Sequence, residues 1–238
     1  MRYWLVMPAA GVGRRFGEAR PKQYAPLAGR TVIEWALAPF LADTRCAGAV
    51  VALAPGDPYW AEVEARMARS SRTEISLASG GTQRSHSVLN GLLALEGRAS
   101  EGDWVLVHDA ARPCLSGADI ERLLTSLQAH PLGGLLAAPA TDTFKREGNE
   151  QEVEQTVDRA RLWRALTPQM FRYGRLSEAL KQAHAQDRLP TDEAQALEWL
   201  GERPVLVQGS VANIKVTSLD DLMLAAALLT RTPPGDNP

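Results

Sequence analysis

The sequence predicts an α/β fold, a three-layer sandwich built on a mostly parallel, twisted sheet. Three observations carry that expectation. Short β-type runs recur along the 238 residues. Several are apolar throughout rather than alternating, as strands covered on both faces are. Stretches with apolar residues at helical spacing lie between them, and such alternation implies right-handed βαβ units.

The elements follow in order. "YWLVMPA" (3–9) is the first strand and runs into a glycine-rich turn. A helix over "TVIEWALAPFLAD" (Thr31–Asp43) precedes the strand "GAVVALAP" (48–55). The helix "PYWAEVEARMARS" (Pro58–Ser70) leads to the strand "TEISLAS" (73–79), and "QRSHSVLNGLLALEG" (Gln83–Gly97) to "DWVLVHDA" (103–110). "SGADIERLLTSLQAH" (Ser116–His130) reads as a helix before the strand "GGLLAAPA" (133–140). The helix "DEAQALEWLG" (Asp192–Gly201), the strand "RPVLVQG" (203–209) and a last helix, "LDDLMLAAALLT" (Leu219–Thr230), complete the pattern. That last helix is expected to close the core.

One segment breaks the rhythm. "TDTFKREGNEQEVEQTVDRARLW" (Thr141–Trp163) is highly charged, and "TFKRE" and "EVEQTV" are placed to pair across the turn "GNE". So polar a hairpin buries little by itself. It is either a solvated excursion or an arm that rests on another subunit. The expected organisation is one domain over 1–231, with 141–163 as the excursion. The tail 232–238, "TPPGDNP", is expected to fray.

Composition narrows the function classes. The formal net charge is -2, from 26 basic and 28 acidic residues, so no broad basic field exists for nucleic acid or a membrane surface. Any cationic site must be a local cluster. No apolar run reaches the ~20 residues of a membrane span. Cys46 and Cys114 lie far apart without metal-type spacing and read as small buried hydrophobes, suited to a reducing cytoplasm. The start reads as that of a mature cytoplasmic protein.

Within "MPAAGVGRRFGEARPKQY" (Met7–Tyr24), Gly11, Gly13 and Gly17 give G-x-G-x-x-x-G. A dinucleotide fingerprint requires glycine or alanine where Phe16 stands, and an acidic end to the second strand, where Pro55 and Gly56 stand. A P-loop would need Gly-Lys-Ser/Thr. Small residues after a parallel strand still let backbone N–H groups approach an anion, and Arg15 and Lys22 could hold a polyphosphate from two sides. A solvated Gly/Arg loop is the competing reading. In "VHDAARP", Asp109 and Arg112 stand at the ligand-facing edge of the sheet, where a carboxylate can hold Mg²⁺. On the residues alone, a helix N-cap or a structural Asp–Arg pair is the slightly favoured reading. His108 reads as orienting Asp109, and His86 as an ordinary loop histidine.

The loop "PAAGVGRRFGEARPKQY" resembles the signature of the 2-C-methyl-D-erythritol 4-phosphate cytidylyltransferases, enzymes of the non-mevalonate isoprenoid pathway. The resemblance continues in order through "GGTQRSHSVLNGL", "VLVHDAARPC", "APATDTFKR", "TVDRARLWRALTPQMF", "TDEAQALE" and "NIKVTSLDDL". It implies a Rossmann-like nucleotidyltransferase fold with a protruding β-arm. It implies transfer of the cytidylyl group of CTP to 2-C-methyl-D-erythritol 4-phosphate, with Mg²⁺ bound mainly through the CTP phosphates. By this resemblance Pro8, Ala9, Ala10, Gly11, Gly81, Ser87, Asp109 and Ala110 contact the nucleotide, and Asp109 serves the metal. Arg112, Thr143, Arg159, Thr167, Thr191 and Lys215 contact the acceptor, and Arg84 supports the loop. Arg15, Lys22, Arg159 and Lys215 are the catalytic cations. The excursion becomes a dimerisation arm of a homodimer with shared sites. A ribitol 5-phosphate cytidylyltransferase and a non-catalytic nucleotide-binding module are the alternatives, with a dinucleotide-dependent oxidoreductase a distant third.

Overall fold

A computed structural model describes residues 1–11, 16, 20–67 and 73–230. Arg15 and the tail 232–238 therefore lie outside the described residues.

The chain opens with β1 (Tyr3–Pro8) and a short 3-10 turn at Lys22–Tyr24. The tight hairpin β2 (Pro26–Leu27) and β3 (Arg30–Thr31) leads into α1 (Val32–Ala42). Then come β4 (Cys46–Leu53), α2 (Trp60–Met67), β5 (Ile75–Ser79), α3 (Arg84–Leu93), β6 (Trp104–Val107), α4 (Gly117–Leu127) and β7 (Gly133–Pro139). The excursion is β8 (Phe144–Glu147) and β9 (Val153–Val157). After it the chain forms β10 (Trp163–Arg172), α5 (Tyr173–Ala185), α6 (Glu193–Glu198), β11 (Val205–Gln208) and α7 (Leu219–Thr230).

Seven strands form the central sheet in the order β11-β7-β10-β6-β1-β4-β5. All run parallel except β10, which is antiparallel to both neighbours. Side chains alternate between the two faces. Tyr3, Leu5 and Met7 join α1, α2 and α4 on one face. Val6, Val105 and Val107 join α3, α5 and α6 on the other. The apolar runs of the sequence are strands buried on both sides, as their composition requires. Helix starts follow local chemistry. Ser116 Oγ accepts from the Asp119 N–H at 3.1 Å, Asp192 Oδ1 accepts from the Gln195 N–H at 2.9 Å, and the Glu34 carboxylate reaches back to the Thr31 N–H at 2.7 Å.

Three features depart from the sequence reading. The central antiparallel strand β10 and the helix α5 were not foreseen. α3 and α6 begin within a residue of where expected but end early, at Leu93 and Glu198. The last helix does not close the main core. Ala225 is its one fully buried residue, while Leu219, Met223 and Leu224 face solvent. It lies on a small satellite cluster with Phe16, Ala25, Leu27, Val32 and Val216. Phe16, the residue that breaks the dinucleotide fingerprint, is thus buried in that cluster.

β1 lies between β4 and β6, so the chain turns to opposite sides from its carboxyl end. Such a switch point opens a crevice in a parallel sheet, and that is where this fold places ligands.

Candidate functional site

A cavity of about 740 Å³ opens there. The loop after β1 forms one wall with Pro8, Ala9, Ala10 and Gly11. The loop into α3 forms another with Gly81 and Ser87, and Asp109, Ala110, Lys22 and Lys215 complete it. The site residues read from the sequence that lie in described parts of the nucleotide site all meet in this one cavity.

The glycines before α3 are required by close approach. A Cβ on Gly80 would come within 2.2 Å of the Ala10 Cβ, and one on Gly81 within 2.2 Å of the His86 Cβ. Gly80 therefore lets the two loops touch, and Gly81 lets its own loop fold closely against the first turn of α3. The Gly81 N–H donates to Ser87 Oγ at 3.0 Å, so Ser87 holds the loop across the first turn of α3.

Lys22 stands on a turn held from two sides. The buried Gln23 amide donates to the Ala9 carbonyl at 2.8 Å, and the Tyr24 hydroxyl donates to Asp57 Oδ2 at 2.9 Å. Arg20 at the same loop end lies over the Tyr59 ring and pairs with Glu62.

Asp109 is the electrostatic centre. Arg84 Nε is 2.8 Å from Oδ1, Lys215 Nζ is 2.9 Å from Oδ2, and Arg112 Nε is 3.7 Å from Oδ2. Burial alone would raise the Asp109 pKa, but Arg84, then Lys215 and Arg112, hold the carboxyl well below the usual carboxylate range. Arg84 also spans to Glu193, with Nη1 2.6 Å from Oε1. Glu193 is almost fully buried, and burial raises its pKa against the pull of Arg84. Three cations thus face two carboxylates, and Lys22 adds a further positive charge at the wall. The crevice favours an anion.

Arg112 and Thr167 are buried beneath Asp109 rather than lining the cavity. Arg112 Nη1 donates to the Asn213 carbonyl at 2.7 Å, and the Asn213 amide donates to the Thr167 carbonyl at 2.6 Å. His108 is fully buried, and burial pushes its pKa down to about 4. Thr167 links it to the backbone N–H of Asp109 rather than to the carboxylate. His86, read as ordinary, packs edge-on to His184 with ring centroids 4.5 Å apart. Thr143, Arg159 and Thr191 are exposed and do not line this cavity. Arg159 is on the excursion, where its Nη1 donates to the Thr141 carbonyl. The β8–β9 hairpin forms as the sequence foresaw, with Phe144 opposite Val157. Both cysteines are free, Cys46 buried and Cys114 half-buried, and burial raises each to about 11.

Glu193, Asn213 and Gln23 are among the site residues that the sequence did not single out. Glu193 lies 109 positions from Arg84, and nothing local distinguishes it from a solvated carboxylate.

Among the described residues, no group of three or more His, Cys, Asp or Glu is placed to hold a metal. Nor does any described helix have the length and apolarity to cross a membrane.

The model of the IspD family, 2-C-methyl-D-erythritol 4-phosphate cytidylyltransferase, matches residues 3–231. The chain belongs to this family. A relative of that name from Pseudomonas putida (strain GB-1) is 51% identical over 221 residues, covering 92% of each chain. One from Pseudomonas aeruginosa is 50% identical over 222 residues, covering 93% of each. A crystal structure of 4-diphosphocytidyl-2C-methyl-D-erythritol synthase superposes with a TM-score of 0.82 at 35% identity, over 96% of this chain and 98% of that one. The Thermus thermophilus cytidylyltransferase gives 0.78 at 32%, over 97% and 100%. Family membership accounts for the mostly parallel α/β sheet.

Proposed function

We propose that the chain transfers the cytidylyl group of CTP to 2-C-methyl-D-erythritol 4-phosphate and releases pyrophosphate. The observation that carries this is Asp109, ringed by Arg84, Lys215 and Arg112 in the wall of the cavity between β1, α3 and β6. The relatives' names do not favour a ribitol 5-phosphate acceptor or a non-catalytic module.

The acceptor phosphate is a monoester with a second pKa of ~6, so it is largely dianionic at neutral pH and needs no general base. One of its oxygens attacks the α-phosphorus of CTP. The new O–P bond forms as the bond to the β-phosphate bridging oxygen breaks, and that oxygen leaves on pyrophosphate. The obstacle is the approach of two anions, so catalysis consists of positioning and charge stabilisation. Lys22 and Arg15 are the proposed cations on the triphosphate. The loops of Ala9–Gly11 and Gly81–Ser87 hold the nucleotide. Lys215 holds the acceptor phosphate beside Asp109.

One cavity-facing carboxylate, with both oxygens already partnered, fits a cation bound chiefly by phosphates rather than by the protein alone. Asp109 is the residue that would hold Mg²⁺, which would supply charge neutralisation to the triphosphate.

The excursion is proposed as a dimerisation arm. Its strands are solvent-facing along nearly their whole length, and Phe144, Val153, Leu162 and Trp163 expose apolar surface that a second copy would cover. Thr143 and Arg159 lie outside their own chain's cavity and would complete the partner's acceptor site. Pyrophosphate release that requires CTP, the acceptor and Mg²⁺ together tests the reading; release independent of the acceptor would reject it.

A further inference from the structure

Gly81, Thr82 and Gln83 line the nucleotide cavity in succession. Their loop leaves the sheet at Gly80, whose N–H donates to the Leu53 carbonyl at 2.6 Å. Beyond that point it is bonded to the first turn of α3. The Gly81 N–H donates to Ser87 Oγ, and the Ser87 N–H donates to the Gln83 carbonyl at 3.2 Å. His86 lies at the centre of this contact. A Cβ on Gly81 would fall 2.2 Å from the His86 Cβ and 3.2 Å from its Cγ, so the loop is folded directly onto this side chain. One residue on, Thr82 Oγ1 lies 3.2 Å from His86 Nδ1. A hydroxyl both donates and accepts, so this bond forms with either ring tautomer.

The His86 ring does not itself line the cavity. It is backed from α5 by His184, with the ring planes inclined at 61° and the centroids 4.5 Å apart, an edge-to-face pairing that aromatic rings favour. His184 Nε2 in turn lies 3.1 Å from Oγ of the buried Ser85. The first turn of α3 is thus gripped residue by residue. Arg84 is forked by Glu193, Ser85 meets His184, His86 meets both His184 and Thr82, and Ser87 takes the Gly81 N–H. His184 and Glu193 stand at the two ends of the connection from α5 to α6. That connection braces the nucleotide loop from outside the cavity.

We propose that His86 is a positioning residue that, with His184 behind it, holds the loop of Gly81, Thr82 and Gln83 in the shape that receives the nucleotide. It acts through Thr82 and the backbone of Gly81, not by touching the ligand. Its contribution falls on nucleotide binding, because the residues it holds line that part of the cavity and Lys215, on the acceptor phosphate, is carried by another segment. This rests on the reading of the cavity as a CTP site.

The test uses the full chain with CTP and Mg²⁺. His86→Phe keeps a ring against His184 but removes Nδ1, while His86→Asn keeps a polar atom at the δ position. His86→Phe and Thr82→Val are each expected to weaken CTP binding about fivefold, the worth of one net hydrogen bond, read by titration calorimetry and as the KM for CTP. Their combination should cost no more than the larger single loss, and His86→Asn should bind CTP nearly as wild type does. In His86→Phe, kcat and the KM for the acceptor should hold. Losses that multiply, Phe and Asn variants that behave alike, or an equal rise in the acceptor KM overturn the positioning role. His184→Leu removes the backing. It and His86→Phe should each speed amide hydrogen exchange at residues 81–83 while leaving β6 unchanged, and unchanged exchange in the loop overturns the brace. Should His86→Phe fail to fold, Thr82→Val in binding and His184→Leu in exchange decide. A wild-type protein that binds no CTP would instead sink the functional reading, and the exchange result would still judge the brace.

Discussion

Replacing Asp109 by Asn removes one negative charge from among three cations while keeping the side chain's shape and the backbone bond to Thr167. Unit charges about 4 Å apart interact by about 4 kcal/mol at an effective dielectric near 20. Removing one partner of a buried pair costs about 3–5 kcal/mol net. Arg84 supplies most of that here. Lys215 is 40% exposed and its share is reduced by solvent. Taking about 3 kcal/mol, at about 2–4 °C per kcal/mol for a chain this long, Asp109→Asn should melt about 6–12 °C below wild type. The uncompensated cations then invite an anion. CTP added without metal should raise the melting temperature of the variant more than that of wild type, while turnover falls by about 10²–10³. Calorimetry with and without CTP, together with a pyrophosphate assay, reads all three effects. A variant that melts within about 2 °C of wild type, or gains less from CTP, would refute the electrostatic account of the site.

Three further outcomes follow from the same residues. Lys22→Ala should lower kcat about 10²–10³-fold with the melting temperature kept, since Gln23 and Tyr24 hold the turn without the lysine; near-normal turnover would remove Lys22 from the catalytic cations. Arg159→Ala should chiefly impair acceptor use, and mixing it with Lys22→Ala under subunit exchange should restore part of the activity, because one hybrid site would carry both cations. No recovery would count against the shared site. Asp109, Glu34 and Asp43 all have lowered carboxyl pKa values in the folded chain. Their stabilisation is complete above the unfolded carboxylate range of ~4 and is lost as pH falls through the folded values. Stability from these groups should be flat between about pH 5 and 7 and fall below about 4, less steeply in Asp109→Asn.

Much of this was legible because local chemistry and position coincide. The runs over β1, β4, β6 and β7 are apolar throughout, and only strands covered on both faces read that way. β10 escaped notice because it does not. "WRALTPQMFR" mixes Arg164, Gln169 and Arg172 with a proline, and its first three residues lie outside the core. The last helix misled in the opposite sense. It is apolar nearly all round, which the pattern reads as burial, yet it rests on a satellite cluster at the edge. In the site, Asp109 was visible from "VHDAARP", where a strand ends. The Arg84–Glu193 and Arg112–Asn213 links join residues more than a hundred positions apart, and only the folded sheet brings them together.

The central claim is the acceptor. With CTP and Mg²⁺, 2-C-methyl-D-erythritol 4-phosphate and ribitol 5-phosphate should be compared side by side, with pyrophosphate and the cytidylylated product both measured. The account predicts rapid release with the methylerythritol phosphate, 4-diphosphocytidyl-2-C-methyl-D-erythritol as the product, and little turnover of the ribitol ester. Equal or faster use of ribitol 5-phosphate, or no turnover of either, would contradict it.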